Sequence, residues 1–317
     1  MGSEMCIRDS LTTGFGFTEL IVKATPLILI GVGLSIGFKA NVWNIGAEGQ
    51  FTMGAIAGGG TALFLNTQES FLVLPAVLLM GILGGVVWGM IPAFLKTKFN
   101  ANEILTSLML SYVALLILSY LVHGPWRDPG GYNFPESEIF SDFAMLPILL
   151  EGTRLNLGTG FALLSVLIIY ILLSRTVLGY QFKVVGLAPA AAKHAGFDRA
   201  KLIWLSMIIS GGLAGLAGIS EVSGTIGQLL PSVSPGYGFT AIIVAFLGRL
   251  NPVGVLFAGL IMALTYIGGE NAQIEIGLPA AVTGLFQGII LFFLLACDVL
   301  ARYRLRYKPF LKARDRE

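Results

Sequence analysis

Residues 71–95 read FLVLPAVLLMGILGGVVWGMIPAFL, and this run contains no charged side chain. A helix that crosses a membrane needs about 20 such consecutive residues. The rest of the chain has the same character, because 55% of its 317 residues are hydrophobic and 12% are charged. A soluble domain carries about twice that share of charge. The composition therefore argues against a soluble enzyme, a nucleic-acid-binding protein and a disordered chain, and it favours a bundle of membrane helices.

Eight further segments are apolar enough to be considered as spans, although several are short and the second in the chain includes Glu48 and Gln50. Together with the first run they predict an all-α, polytopic transmembrane helix bundle of about nine spans, formed by residues 20–301. The nine predicted spans are 20–38, 45–65, 71–95, 104–122, 160–174, 202–220, 237–250, 253–269 and 278–300.

The loops between these spans predict an orientation, because short loops rich in Lys and Arg remain on the cytoplasmic side of a membrane. If the nine spans alternate, the basic loops and the basic tail at 302–317 all fall on that side. The opposite side receives an acidic outer loop, 123–157, whose Pro and Gly turns indicate an ordered lid or docking surface, or else a disordered linker. The basic loop residues are Lys96, Lys98, Arg175, Lys183, Lys193, Arg199, Lys201 and Arg249, and the acidic ones opposite are Glu69, Asp128, Glu136, Glu138, Asp142, Glu151, Glu270 and Glu275.

Residues 1–19 are predicted to form a leader outside the membrane. The first ten include Glu4, Arg8 and Asp9 and lack the apolar core of a signal peptide. Nine spans with a cytoplasmic tail nevertheless place this leader on the opposite side. Either one predicted span is wrong, or a first helix is missing and the start of the leader is not native; the second explanation is favoured.

The second predicted span begins with a polar motif, because residues 38–50 read FKANVWNIGAEGQ. Polar groups at membrane depth are costly unless they line an aqueous path or satisfy one another. Asn44 and Glu48 are four residues apart, so they would share one face of a helix if the segment is helical. The motif therefore predicts a polar pathway through the bundle. The alternative is a short cytoplasmic loop that caps the next helix.

The 41 glycines predict dense helix packing and no chemistry of their own. Many belong to Gly-x-x-x-Gly pairs, which allow the backbones of two membrane helices to approach closely. Such pairs would suit a channel equally well. Such pairs include Gly33/Gly37, Gly54/Gly58, Gly81/Gly85, Gly211/Gly215 and Gly284/Gly288.

The basic inner loop, 175–201, contains a short predicted helix. Residues 186–196 read GLAPAAAKHAG, with Pro189 at the first helical position and Gly196 just past the end. A helix of about two turns is too short to be stable alone in water. It therefore needs a partner surface, and the alternative is a solvated loop held by lipid headgroups.

The stretch Asn44-Ile-Gly-Ala-Glu-Gly-Gln50 resembles the signature of permease subunits of ATP-binding-cassette (ABC) importers for nucleosides and simple sugars. This group also includes ribose and branched-chain amino acid permeases. The resemblance covers about residues 20–308, and members of the family usually have ten spans with both ends cytoplasmic, which would place the missing helix before Leu20. Three other stretches are similar to the family: Asn102-Glu103-Ile104 followed by LTSLML, Gly124-Pro125-Trp126, and SGGLAGLAG at 210–218 with Glu221 after it.

The resemblance implies that the short inner helix is a coupling helix, which enters a groove of a separate ATPase subunit. Family members commonly have asparagine where this chain has Ala188. The sequence contains no Gly-x-x-x-x-Gly-Lys-Ser/Thr phosphate loop. ATP would therefore be bound by the partner, and this chain would be no enzyme and would need no cofactor. The residues implied in the ATPase contact are Gly186, Pro189, Ala190, Ala191, Lys193, His194 and Gly196.

Further partners implied by the resemblance are a second permease subunit, identical or different, and an extracytoplasmic substrate-binding protein. The location would be the lipid bilayer of the bacterial cytoplasmic (inner) membrane, without any nucleic-acid partner. With two cysteines and two histidines in the chain, no metal site is expected. The predicted pathway residues are Asn44, Glu48, Gln50, Asn102, Glu103, Glu221 and Gln228.

Few strongly charged residues lie within the spans, which favours a neutral polar solute over an ion. The resemblance implies that this solute is a nucleoside or a simple sugar. A stand-alone channel or secondary carrier for a small neutral polar solute is the alternative. Such a carrier would have no need of the docking helix, so the inner loop distinguishes the two hypotheses.

Overall fold

The computed structural model describes residues 14–131, 133–277, 279 and 281–302. Across these residues the regular elements are helices, with one isolated bridge between Ile148 and Asn156, so the all-α prediction is confirmed for this part of the chain. Most of the predicted leader and tail lie outside it. The helices are α1 (Gly14–Lys39), α2 (Ala47–Phe64), α3 (Val73–Phe99), α4 (Glu103–His123), α5 (Leu157–Arg175), α6 (Val177–Leu187), α7 (Pro189–His194), α8 (Arg199–Glu221), α9 (Tyr237–Leu247), α10 (Pro252–Ile276) and α11 (Ala281–Arg302), with a 3₁₀ turn at Asp142–Ala144 and a π turn at Val222–Ile226.

Six of the described helices are long and apolar enough to cross a membrane: α1, α3, α4, α5, α8 with its π turn, and α10. The remaining predicted spans correspond to shorter apolar stretches. α2 has 18 residues and a glutamate in its first turn, α9 has 11 residues, and the apolar part of α11 covers Ala281–Leu294. The protein is therefore a multi-spanning helix bundle, whereas the count of nine spans stays a prediction.

The two ends of the bundle are distinguished by their loops. At the basic end, where α1 and α3 finish and α8 begins, Trp204 Nε1 donates a 3.1 Å hydrogen bond to Thr97 Oγ1. At the acidic end, where α8 finishes and α11 begins, Gln228 Nε2 donates to Glu136 Oε2 of the outer loop at 2.9 Å. The basic and acidic loops thus separate as the positive-inside rule predicts.

α1 occupies the centre of the bundle because apolar and small residues cover all of its sides. Every residue from Ala24 to Phe38 is buried. A helix that is apolar all round belongs in an interior. At the basic end the ring of Phe38 stacks on Phe246 of α9 with centroids 5.1 Å apart, so α1 and α9 run side by side there.

Glycines join α2, α3 and α8 in one close-packed layer. A Cβ added to Gly54 would collide with the backbone of Gly215, and a Cβ added to Gly85 would collide with the carbonyl oxygen of Gly211. The Gly-x-x-x-Gly pairs of these three helices therefore serve close packing, as predicted. By contrast, a Cβ at Gly288 of α11 would meet no atom within 4 Å in the described structure.

We expect the Gly85→Ala permease to be less stable than the parent protein, because the added methyl group meets backbone atoms that have no room to move. Overpacking of this kind costs about 1–3 kcal/mol. The thermal unfolding midpoint of the purified protein in detergent measures the effect. Gly288→Ala is the matched control, since it adds the same methyl group to open space. Equal midpoints for the two variants would contradict the close-packed layer.

The segment that connects α8 and its π turn to α9 is not helical, although it passes through part of the bundle. Residues 227–236 start at the acidic end, where Leu229 N donates to Ser137 Oγ at 2.9 Å. α9 then covers only about 16 Å at 1.5 Å per residue, roughly half of a 30 Å hydrocarbon core. Non-helical backbone at membrane depth is tolerated where protein encloses it, and Leu229 is fully buried. The predicted span 237–250 is therefore a half crossing.

The outer loop is folded against this non-helical segment. Ser137 N donates to Leu229 O at 3.0 Å, and Phe140 N donates to Gly227 O at 2.9 Å. Both Ser137 and Phe140 are buried. These contacts favour the ordered lid or docking surface over the disordered linker.

Candidate functional site

Three uncharged polar side chains, which we call the amide cluster, meet inside the bundle. Asn44 Nδ2 donates to Gln50 Oε1 at 2.8 Å and to Ser210 Oγ at 2.9 Å, and Gln50 Nε2 donates to Asn44 Oδ1 at 3.3 Å. All three residues are buried. Ser210 is halfway along α8, about 16 Å from either end at 1.5 Å per residue. The cluster therefore lies at mid-depth, and its members satisfy one another.

Asn44 precedes α2, so the condition for sharing a helical face with Glu48, a helical segment at Asn44, is not met. The chain between α1 and α2 is non-helical over residues 42–45. Asn44 Oδ1 accepts a 3.0 Å bond from Gly46 N, and this side-chain-to-backbone bond favours a turn instead of a helix. As a result Asn44 faces α8, whereas Glu48 bonds to α9.

Glu48 connects the N-terminal ends of two helices. It belongs to the first turn of α2, and its Oε2 accepts a 2.6 Å hydrogen bond from Gly238 N in the first turn of α9. Ser234 and the backbone of Phe239 also hydrogen-bond the carboxylate. The residue is 2% exposed. A carboxylate is favourable at the positive end of a helix dipole. Here the single carboxylate of Glu48 lies at the N-terminal ends of both α2 and α9.

Asn102 and Glu103 lie at the basic end of α4, away from mid-depth. Asn102 is exposed and caps α4, since its Oδ1 accepts a 2.9 Å bond from Ile104 N. Glu103 is buried and pairs with Lys96 Nζ at 2.9 Å. The geometry gives both residues a role in fixing the ends of α3 and α4.

Glu221 and Gln228 lie at the acidic end, on either side of the π turn. Gln228 bonds to Glu136 of the outer loop, as described above. Glu221 is buried between α8 and α1. Nearby, Arg154 makes two bonds to Glu19, at 2.9 and 2.6 Å, and this partner raises the pKa of the Arg154 guanidinium above its ordinary value.

A second polar cluster, between α9, α10 and α11, was not predicted. Thr240 Oγ1 lies 2.8 Å from Tyr266 Oη and donates to Gln287 Oε1 at 3.0 Å. The ring of Tyr237 packs edge-on against Tyr266 with centroids 5.5 Å apart. All four residues are buried. A search for every uncharged polar residue inside the predicted spans, rather than for charges alone, would have found them.

The short helix predicted in the inner loop is present as α7, directly after α6. Gly196 has φ +76° and ends the turn, as expected for a glycine just past a helix. Ala191 is exposed and Ala192 is buried. Ala188 precedes Pro189 and provides no side-chain cap, so the first turn lacks the stabilisation that an asparagine can give.

α7 borders a groove of about 550 Å³ at the basic end. Apolar Val185 and Phe197 line it together with charged Lys193. Gly186 does not face the groove as expected of a contact residue, because a Cβ there would collide with the carbonyl oxygen of Lys39. Gly186 instead packs α6 against the end of α1. The other residues predicted for the ATPase contact are exposed: Pro189, Ala190, Ala191, Lys193, His194 and Gly196.

A multi-spanning helix bundle with polar groups at mid-depth and an exposed short helix at its basic end is the architecture of a transport permease. A comparison with family models agrees with this class. The chain belongs to the family described as the permease component of branched-chain amino acid transport systems, whose model matches residues 16–295.

Relatives with assigned names are similar over nearly the whole chain. A glucose ABC transporter permease protein of Haloferax volcanii is 39% identical over 306 residues, covering 93% of this chain and 80% of that protein. A guanosine ABC transporter permease protein of Bacillus subtilis is 32% identical over 296 residues, covering 91% and 82%. The chain is therefore a membrane subunit of an ABC transporter.

Solved structures share the fold. An ABC transporter of the metal-chelate type, in an inward-facing conformation, superposes with a TM-score of 0.51 at 19% identity, covering 88% of this chain and 85% of that one. PsaBC from Streptococcus pneumoniae, in complex with a Fab, gives a TM-score of 0.50 at 13% identity and covers 95% of both chains. At these identities the likeness concerns the fold alone.

Proposed function

We propose that this permease belongs to an importer that carries a neutral nucleoside or simple sugar across the bacterial cytoplasmic membrane. Relatives named for glucose and guanosine transport support this substrate class. The amide cluster makes the interior of the bundle polar at mid-depth without adding charge. The N-terminus of a half-length helix binds anionic substrate groups in some transporters, and here Glu48 already occupies that position on α9.

The observation that carries the proposal is α7 beside its groove at the basic end. Its exposed alanines keep the helix slim, so a partner surface can approach its backbone. A separate ATPase subunit that docks there would supply the energy, because this sequence has no phosphate-binding loop of its own. The chain itself would then need no cofactor and catalyse no reaction.

The remaining assignments follow from the same proposal. Residues 20–301 form the permease domain, with the coupling loop at 175–201 and the outer loop at 123–157 facing an extracytoplasmic binding protein. A second permease subunit completes the path. The amide cluster and Glu48 serve that path at mid-depth. Asn102 and Glu103 lie along it toward the basic end, and Glu221 and Gln228 lie toward the acidic end.

Uptake in a reconstituted complex tests the function. Permease, ATPase and binding protein are placed in liposomes, and labelled uridine, adenosine and ribose are supplied with and without ATP. We expect uptake of at least one compound that depends on ATP. Uptake by the permease alone would favour the stand-alone channel or carrier, which needs neither the ATPase nor α7.

Cysteine labelling tests the orientation, because Lys193 and Glu138 are both exposed but belong to opposite ends. In a background where Cys6 and Cys297 are replaced by serine, Glu138→Cys should react with an impermeant maleimide in intact cells. Lys193→Cys should react only after the cells are opened. Labelling of Lys193→Cys from outside would reverse the orientation.

A further inference from the structure

A small cavity lies between α1, the start of α5 and the end of α8, near the acidic end. Its volume is about 10 Å³, close to the space that a single water molecule requires. Apolar residues form part of the wall. The side chains that bring oxygen atoms to it are Thr25, Asn156, Ser220, Glu221 and Thr225.

One of these side chains is buried without a hydrogen-bond partner, and another carries a buried carboxylate that lacks an ion pair. Ser220 is 3% exposed, and its Oγ has no hydrogen-bond partner among the described residues. Glu221 is 9% exposed and its carboxylate accepts a hydrogen bond from the side chain of Thr225, but it forms no ion pair within the described part of the chain. Burying a hydroxyl without a partner and a carboxylate without an ion pair is costly, so both groups are available to a ligand in the cavity.

The charges around Glu221 leave a negative surplus. Lys23 and Arg154 act on its carboxylate from nearby. Each of them is engaged at shorter range, however, since Lys23 pairs with Glu270 at 2.7 Å and Arg154 pairs with Glu19 at 2.6 Å. Three carboxylates therefore face two cations. Glu270 and Glu19 each contact one cation, and Glu221 contacts neither.

We propose that this cavity binds one Na⁺ ion, held by Glu221 together with the oxygens of Ser220 and Asn156. Hard cations prefer oxygen ligands, and the wall of the cavity contains carboxylate, amide and hydroxyl oxygens. Asn156 Oδ1 already accepts a 2.9 Å bond from Gly158 N, but a carbonyl oxygen has a second lone pair.

The charge of the surroundings favours a monovalent ion. The three carboxylates and two cationic side chains leave one negative charge, which a monovalent ion balances, whereas Ca²⁺ or Mg²⁺ would leave an uncompensated positive charge in a buried site. The π turn begins directly after Glu221 and contributes Thr225 to the wall, and π turns are frequent at functional sites. The scarcity of Cys and His excludes thiolate or imidazole sites and says nothing about a site made of oxygen atoms. The ion would tie α1, α5 and α8 together.

Thermal unfolding of the purified permease in detergent tests this site without requiring transport activity. NaCl is compared with choline chloride, KCl and LiCl at equal ionic strength. Saturating Na⁺ should raise the unfolding midpoint by about 5 °C relative to choline, because a ligand that binds only the folded state stabilises it. Glu221→Gln and Ser220→Ala should each remove most of that shift.

Ser223→Ala is the matched control, because Ser223 is another buried serine whose Oγ lacks a partner but does not line the cavity. It should keep the full Na⁺ response. Equal midpoints in NaCl and choline chloride would overturn the proposal, and the site would then hold at most a water molecule. A full Na⁺ response in both Glu221→Gln and Ser220→Ala would also overturn it. If Glu221→Gln does not fold, Ser220→Ala alone decides.

Discussion

Uptake by the Glu48→Ala permease should fall at least about tenfold at equal membrane expression. The substitution removes the acceptor of Gly238 N, and a buried N–H left without a partner costs about 1–3 kcal/mol. A loss of 1.4 kcal/mol corresponds to a factor of ten. The half-helix α9 would then lose its fixed position against α2, next to the amide cluster. ATP-driven uptake in vesicles, normalised to permease content, measures the effect.

Two further variants show whether the loss of uptake comes from the lost charge, from the lost hydrogen-bond acceptor, or from removing any glutamate. Glu48→Gln keeps an acceptor oxygen and removes the charge, so we expect partial uptake if a neutral substrate needs hydrogen bonds more than a charge. Glu69→Ala removes an exposed glutamate at the acidic end and should leave uptake unchanged. Normal uptake by a fully expressed Glu48→Ala permease would reduce Glu48 to a dispensable helix cap.

The Ala191→Arg permease should insert into the membrane and fail to assemble with its ATPase. Ala191 is exposed on α7, and the proposed docking places it against the partner. Overpacking such a contact costs about 1–3 kcal/mol, and a buried charge without a partner costs more. A loss of 1.4 kcal/mol already weakens association tenfold. Co-purification of the ATPase with the permease, alongside uptake, is the measurement.

Phe99→Arg is the control for added charge, because Phe99 is 70% exposed at the same basic end but belongs to α3. It should co-purify with the ATPase normally. Ala191→Ser, which keeps the side chain small, should also assemble. If Ala191→Arg assembles and transports as well as the parent protein, α7 is not the docking helix and the stand-alone carrier becomes the better hypothesis.

Rules that depend only on neighbouring residues were sufficient to predict the helical membrane fold, the basic and acidic ends of the bundle and the helix α7. Hydropathy over 20 residues and the distribution of Lys and Arg depend only on neighbouring sequence. The bounds of α7 follow from Pro189 at its start and Gly196 after its end, which are also local signals. Each of these predictions therefore needed no knowledge of how the helices pack.

The partners of the polar residues depend on packing and could not be read from the sequence. Asn44 bonds to Ser210, 166 positions away, and Glu48 bonds to Gly238, 190 positions away. Hydropathy also counts apolar residues without indicating the depth at which a helix starts. For that reason 237–250 was predicted as a full span, although α9 begins inside the bundle.

The shared carboxylate of Glu48 has a mechanical consequence. Because Glu48 is part of the first turn of α2 and its carboxylate accepts a hydrogen bond from Gly238 N in the first turn of α9, these helices cannot separate without leaving that N–H group free inside the membrane. They should therefore travel as one rigid body when the permease changes between inward-open and outward-open states. Since the glycines of α2 pack directly against α8, the hydrogen bond from Gly238 to Glu48 also fastens the half-helix α9 to that close-packed layer.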